Sequence, residues 1–189
     1  MKKLLALILV GLMIFAFASC GKKVEEETNK LEGVEAPVDI LNAVWATYDE
    51  ETEKFFAMGG DYETPVDNAP GKFNIANAEN ATAQLVCPAD ALAMVDGAAS
   101  LIHAMNANTF TGAAYSIKDG ASADAFITAM KTAIQGNQWM CGFPEKLLTA
   151  KVTDDYVVVA FGNGEIVETF KSKLAAQYDF AVIEVEAIA

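Results

Sequence analysis

The chain has 189 residues, 26 acidic and 13 basic side chains, one histidine and three cysteines, for a formal charge of −13. Every basic side chain is a lysine. That balance argues against nucleic acid, whose phosphates need basic partners, and the lack of arginine removes the bidentate clamp for phosphate or carboxylate. One His and few Cys leave no His/Cys zinc cluster, and the length suits one domain.

Met1-Lys2-Lys3 is a short positive start, and Leu4 to Ala18 is an unbroken apolar or small run. That run is short for a membrane span, which needs about 20 residues. It suits the apolar core of an export signal. Phe17-Ala18-Ser19-Cys20 follows and resembles the lipobox of bacterial lipoproteins. The resemblance implies removal of a signal peptide over 1–19, acylation of Cys20 (palmitate among the acyl chains) and anchoring at the outer face of the bacterial cell membrane. Losing residues 1–19 takes away two lysines and no acid, deepening the charge from −13 to −15. Residues 20–36 are charged and poor in apolar side chains, so they read as a disordered tether. Residues 37–189 read as a single α+β domain.

In chain order, 37–58 reads as a helix, with Pro37 and Asp39 suited to a first turn and Leu41, Val44, Trp45, Tyr48, Phe55 and Phe56 at roughly helical spacing. Residues 59–74 read as one long loop. Within it Asp61, Glu63, Asp67 and Asn68 could hold Ca²⁺ weakly, but no calcium-loop pattern is present and a solvated surface loop is the expected reading. A helical turn near 78–85 and a second helix over 88–105 follow. Strands are expected over 109–117, 147–153, 156–161 and 180–188, and helices over 123–136 and 163–178. Ser122 and Asn163 act as N-caps.

The later order is β-α-β-β-α-β. It predicts an α+β, ferredoxin-like antiparallel sheet preceded by two helices. The first and third strands should be central, and the second and fourth should be edges. The continuous apolar run Tyr156–Phe161 suits a central strand, and Thr149, Lys151 and Thr153 suit a strand with one wet face.

On a helix over 88–105, Asp96, Ser100 and His103 would share one face. Ser100 would stand between the other two, with Asp96 and His103 about 10 Å apart along the axis, so Asp96 could not orient His103 for catalysis. The same helix would separate Cys87 from Cys141 by more than a disulfide allows, so both are expected as free thiols. The predicted topology brings three loops to one end of the sheet. They carry His103, Asn106 and Asn108, then Trp139 and Cys141, then Asn163. Amides beside an aromatic suit a small polar ligand or a peptide. The competing expectation is that Trp139 and Phe143 plug the sheet end while the Asn residues cap and turn the chain.

The signal, Trp139-Met-Cys-Gly-Phe-Pro144 and Tyr156-Val-Val-Val159 together resemble a family of small Gram-positive lipoproteins of unknown function, over most of residues 85–175. The resemblance implies no catalytic residues. The reading is therefore a lipid-anchored envelope protein that binds an envelope protein or a small polar ligand without catalysis, with no cofactor, no metal and no nucleic acid. Two alternatives stand beside it: an envelope enzyme using His103 or Cys141, and an export accessory or inhibitor protein docking through an edge strand.

Overall fold

The computed structural model describes residues 31–188. The expected signal peptide, Cys20 and most of the expected tether lie outside the described residues. Leu31 and Val34, at the end of the stretch read as tether, are half-buried against the core.

The chain forms α1 (Pro37–Trp45), β1 (Ala57–Gly59), β2 (Val66–Asp67), β3 (Gly71–Phe73), α2 (Ala78–Leu85), α3 (Ala89–Leu92) and β4 (Val95–His103), followed by β5 (Phe110–Ile117), α4 (Ala123–Gln135), β6 (Lys146–Lys151), β7 (Tyr156–Gly162), α5 (Gly164–Gln177) and β8 (Val182–Ala187). This is an α+β architecture on one eight-stranded antiparallel sheet, ordered β2-β1-β4-β5-β7-β6-β8, with β3 also paired to β4.

The expected ferredoxin-like order is corrected by this pairing. There the last strand would return beside the first. Here β4 holds the place beside β5, and β8 pairs with β6 instead. The second strand of the motif, β6, is thus an inner strand, and Thr149 is buried rather than wet. The crossovers β5–α4–β6 and β7–α5–β8 each skip one strand and step the same way across the sheet. β5 and β7 run antiparallel, so crossovers of the usual right hand put the two helices on opposite faces. Two apolar layers result. One gathers α1, α5 and Leu101, Phe110, Leu148, Val158 and Ala160 of the sheet. The other gathers α2, α3, α4 and Ile102, Tyr115, Leu147, Val157 and Phe161. Alternate residues of β7 feed alternate layers, which is why its sequence is apolar throughout.

Two expected helices are shorter than predicted. α1 stops at Trp45 because Asp49 starts a new turn: its Oδ1 accepts from the amides of Glu51 and Thr52 and from the Thr52 hydroxyl. Such local bonding competes with helix. The helix predicted over 88–105 survives only as α3, and Val95–His103 is a strand. Its small residues face close neighbours. A Cβ on Gly97 would lie 2.7 Å from Ser116 Oγ and 3.5 Å from Pro37. The face shared by Asp96, Ser100 and His103 dissolves with the helix. Asp96 instead accepts from Ser116 Oγ, and buried Ser100 donates to the Gly60 carbonyl.

The segment predicted as one loop over 59–74 contains β2, β3 and the last residue of β1, whose Ala57 and Met58 fall in the stretch predicted as helix. β1 lies along Leu101–His103 of β4 and β3 along Ala98–Ser100. Together they form one broken strand, interrupted by an excursion over 60–70. Asp61 is 2 % exposed at its neck, which corrects its reading as a solvated acid. Its carboxylate accepts from the amides of Glu63, Thr64 and Asn74 and from the Thr64 hydroxyl.

Candidate functional site

β5 and β6 begin, and β4 and β7 end, at one end of the sheet, because Phe110 and Lys146 both pair with Gly162 and Ile102 pairs with Thr111. The three loops expected to meet do lie against each other. The Asn108 side chain donates to the Cys141 carbonyl. The Asn163 amide donates to the Thr109 carbonyl over 2.8 Å, and the Glu145 amide to the Gly162 carbonyl over 2.8 Å. Gly142 adopts a left-handed φ of +61°, and a Cβ there would lie 2.4 Å from the Asn106 amide nitrogen. Only glycine meets both conditions.

Each residue singled out from sequence has an identifiable role. His103 ends β4 and stacks on Phe55, with ring centroids 5.4 Å apart and planes 18° apart. Its Nδ1 accepts from the amides of Met105 and Asn106 at 3.3 and 3.4 Å. Asn106 caps the short turn Ala107–Thr109, accepting from the Asn108 amide. Asn163 caps α5, accepting from the amides of Glu165 and Ile166 while donating to Glu145. The other Glu145 oxygen accepts from the Gly164 amide. The helix start is therefore already occupied by the chain's own carboxylate. Trp139 packs on Phe161 at 5.3 Å, and its buried indole N–H has no hydrogen-bond partner. Cys141 is exposed and shares no hydrogen bond with His103.

Trp139 and buried Pro144 seal the sheet end, but Phe143 does not. Met105, Met140 and Phe143 are 77 %, 90 % and 74 % exposed. They stand on 103–109 and 137–144, two loops with no Lys, Asp or Glu. Sequence reasoning assigned Phe143 to a plug and passed over both methionines. The available signal was the absence of charge from these two loops in a chain so rich in acids. The outcome is an apolar tip supported by amides that are spent on internal bonds, rather than a polar pocket.

Cys87 and Cys141 are both free, but for a different reason from the one expected. Cys87 is buried under α2 and α3, before β4 begins, and Cys141 contacts Asn108 just beyond the end of β4. The nine-residue β4 separates them, at roughly 3.3 Å per residue. Burial, followed by the nearby Asp90 carboxylate, pushes the Cys87 thiol up to about 12.

Among the described residues, no three His, Cys, Asp or Glu side chains gather to hold a metal ion. No helix there is long and apolar enough to cross a membrane. No family model, no curated protein and no solved structure matches the chain.

Proposed function

We propose that the chain is an exported envelope protein, anchored by lipid on Cys20 at the outer face of the bacterial membrane, that binds an apolar segment of a protein partner through its loop end. The observation that carries the binding reading is the exposure of Met105, Met140 and Phe143 on two uncharged loops. Exposed apolar groups that lie together favour docking, and methionine adapts to irregular partner surfaces. The bonds between the loops hold this tip in one shape, which lowers the entropy cost of binding.

A photo-crosslinking residue placed at position 140 tests the reading in intact envelopes, with the same residue at 119 as control. Lys118, next to that control, hydrogen-bonds to Met94 and so marks the opposite end of the sheet. Position 140 should give an adduct of discrete mass that is lost on Phe143→Ser. Adducts from 119 alone, or none from 140, would refute it.

The edge-strand alternative also has an observation in its favour. β8 pairs only with β6, so its outer edge is open to a partner strand among the described residues.

A further inference from the structure

A groove of about 260 Å³ lies at the other end of the sheet, between the start of α1 and the β3–β4 pair. Pro37 and Val38 give it an apolar wall on the α1 side, above Gly97; Phe73, Ile75 and Ala98 also border it, with their side chains in the opposite layer. Glycine keeps it open at 97, where a Cβ would approach both Ser116 and Pro37. Two charged side chains also line it, Lys72 from β3 and Asp96 from the start of β4.

Lys72 is unusual in this chain. Of the described lysines, Lys54, Lys131, Lys146, Lys151, Lys171 and Lys173 each pair with a carboxylate, and Lys118 donates to a backbone carbonyl. Lys72 alone among them has neither kind of partner, in a protein with twice as many acids as bases. Asp96 uses one oxygen to hold Ser116 and leaves the other without a partner. Lys72 and Asp96 do not pair with each other. Two opposite charges thus border one apolar groove with their bonding capacity unspent.

We propose that this groove binds a free α-amino acid with an apolar side chain, its carboxylate at Lys72, its ammonium at the open oxygen of Asp96, and its side chain against Pro37 and Val38 of α1. The volume fits the assignment. Pockets for drug-sized ligands run from roughly 300 to 1,000 Å³, so this one suits a molecule of amino-acid size. Each charged end of the zwitterion meets its complement, and neither lysine nor aspartate needs to leave an existing ion pair. The site is separate from the loop-end tip, so either assignment can fail without the other.

Titration calorimetry on the full chain in detergent tests it, with leucine, N-acetyl-leucine and leucinamide as probes. Leucine should bind one to one. The two blocked probes should each bind at least tenfold more weakly, since each loses one charge contact. Lys72→Ala and Asp96→Asn should each weaken leucine at least tenfold, and Met140→Ser should leave it unchanged. Ser116→Ala, which frees Asp96 without removing it, should retain binding; its loss together with a normal unfolding midpoint would count against the direct role of Asp96. Absence of leucine binding at about 10 mM by a chain that unfolds cooperatively would overturn the proposal. So would equal binding of leucine and N-acetyl-leucine.

Discussion

Gly59 and Gly71 sit on neighbouring rungs of β4, opposite Leu101 and Ser100 respectively. The chain leaves the sheet after one and returns at the other, so the neck of the 60–70 excursion closes on itself. A Cβ at Gly59 would lie 2.1 Å from the Gly71 nitrogen, and one at Gly71 would lie 2.4 Å from the Gly60 nitrogen. The obstacle in both cases is backbone, which cannot rotate aside. Gly59→Ala should therefore cost about 3 kcal/mol or more, the upper range for overpacking. Gly120→Ala is the control, since Gly120 has a φ of +78° but open space around it. It should cost only the conformational penalty of about 1–2 kcal/mol. Urea midpoints compare the two, and equal losses would contradict the neck closure.

Asp61 makes that neck sensitive to acid. Burial alone would raise its pKa, but the Thr64 amide and hydroxyl and the amides of Glu63 and Asn74 outweigh burial and hold the carboxyl below its usual value. A depressed folded value means that the stabilisation is fully present above the unfolded value, about 3.9. It is lost as pH falls through the lower folded value. Asp61→Asn turns an acceptor toward the Asn74 amide into a donor and removes the charge. It should cost about 1–3 kcal/mol at pH 7. The gap between the variant and the parent in urea should narrow as the pH drops below that unfolded value; a gap constant with pH would sink the assignment.

The second half of the fold is legible in the sequence because its signals are local. Ser122 and Asn163 cap helices as their side chains dictate, accepting from Ala125 and from Glu165 and Ile166. The β7 run is apolar because both its faces are covered. The first half hides what decides it. Leu92, Val95, Ala99 and Ile102 fit a helical stripe, yet β4 is a strand because β1, β3 and β5 pair along it and α1 packs close above it. Of these only β5 is a near neighbour in the chain; β1, β3 and α1 are distant segments that no local window contains. The side taken by β8 is equally hidden, for both orders keep the same local elements and differ only in which edge the last strand joins. The loop convergence is legible because β5, β6 and β7 are. The exposed tip is not, because solvent exposure of Met140 or Phe143 depends on what fails to cover it. Lys72 is silent in sequence for a related reason, since the lack of a partner is a property of the folded surface alone.

The two thiols should separate cleanly by reactivity. In the Cys20→Ser full chain at neutral pH, Cys141 should be alkylated without denaturant, because it is exposed. Cys87 should resist until the chain unfolds, since it is buried and its raised pKa leaves almost no thiolate. Peptide mass mapping of iodoacetamide adducts reads both sites at once. Equal labelling of the two in the native state, or a Cys87–Cys141 bridge, would contradict the placement of Cys87 under α2 and α3.

Lipid anchoring has a direct outcome to meet. Cys20→Ser should abolish incorporation of labelled palmitate and move the protein out of the washed membrane fraction or leave it unprocessed. Undiminished lipid labelling in that variant would rule out Cys20 as the anchor, with the folded domain unaffected either way.

The outer edge of β8 can be probed by register. The Ile188 amide donates to the Glu145 carbonyl, and hydrogen-bonding direction alternates along an antiparallel strand. The amides of Glu186, Glu184 and Val182 therefore point toward β6, and those of Ile183 and Val185 point out to the open edge. Proline at 184 removes a ladder bond, whereas proline at 185 removes only an unpaired donor, as edge strands tolerate. Glu184→Pro should destabilise the fold by about 3 kcal/mol, and part of that loss comes from the Lys131–Glu184 ion pair. Glu184→Ala measures that part, expected to be no more than about 1 kcal/mol for a pair so exposed. Val185→Pro should cost about 1 kcal/mol and remove any partner that binds by adding a strand. If Val185→Pro proves as damaging to stability as Glu184→Pro, the alternation is reversed. A partner retained by a folded Val185→Pro chain does not dock through that edge and points back to Met105, Met140 and Phe143.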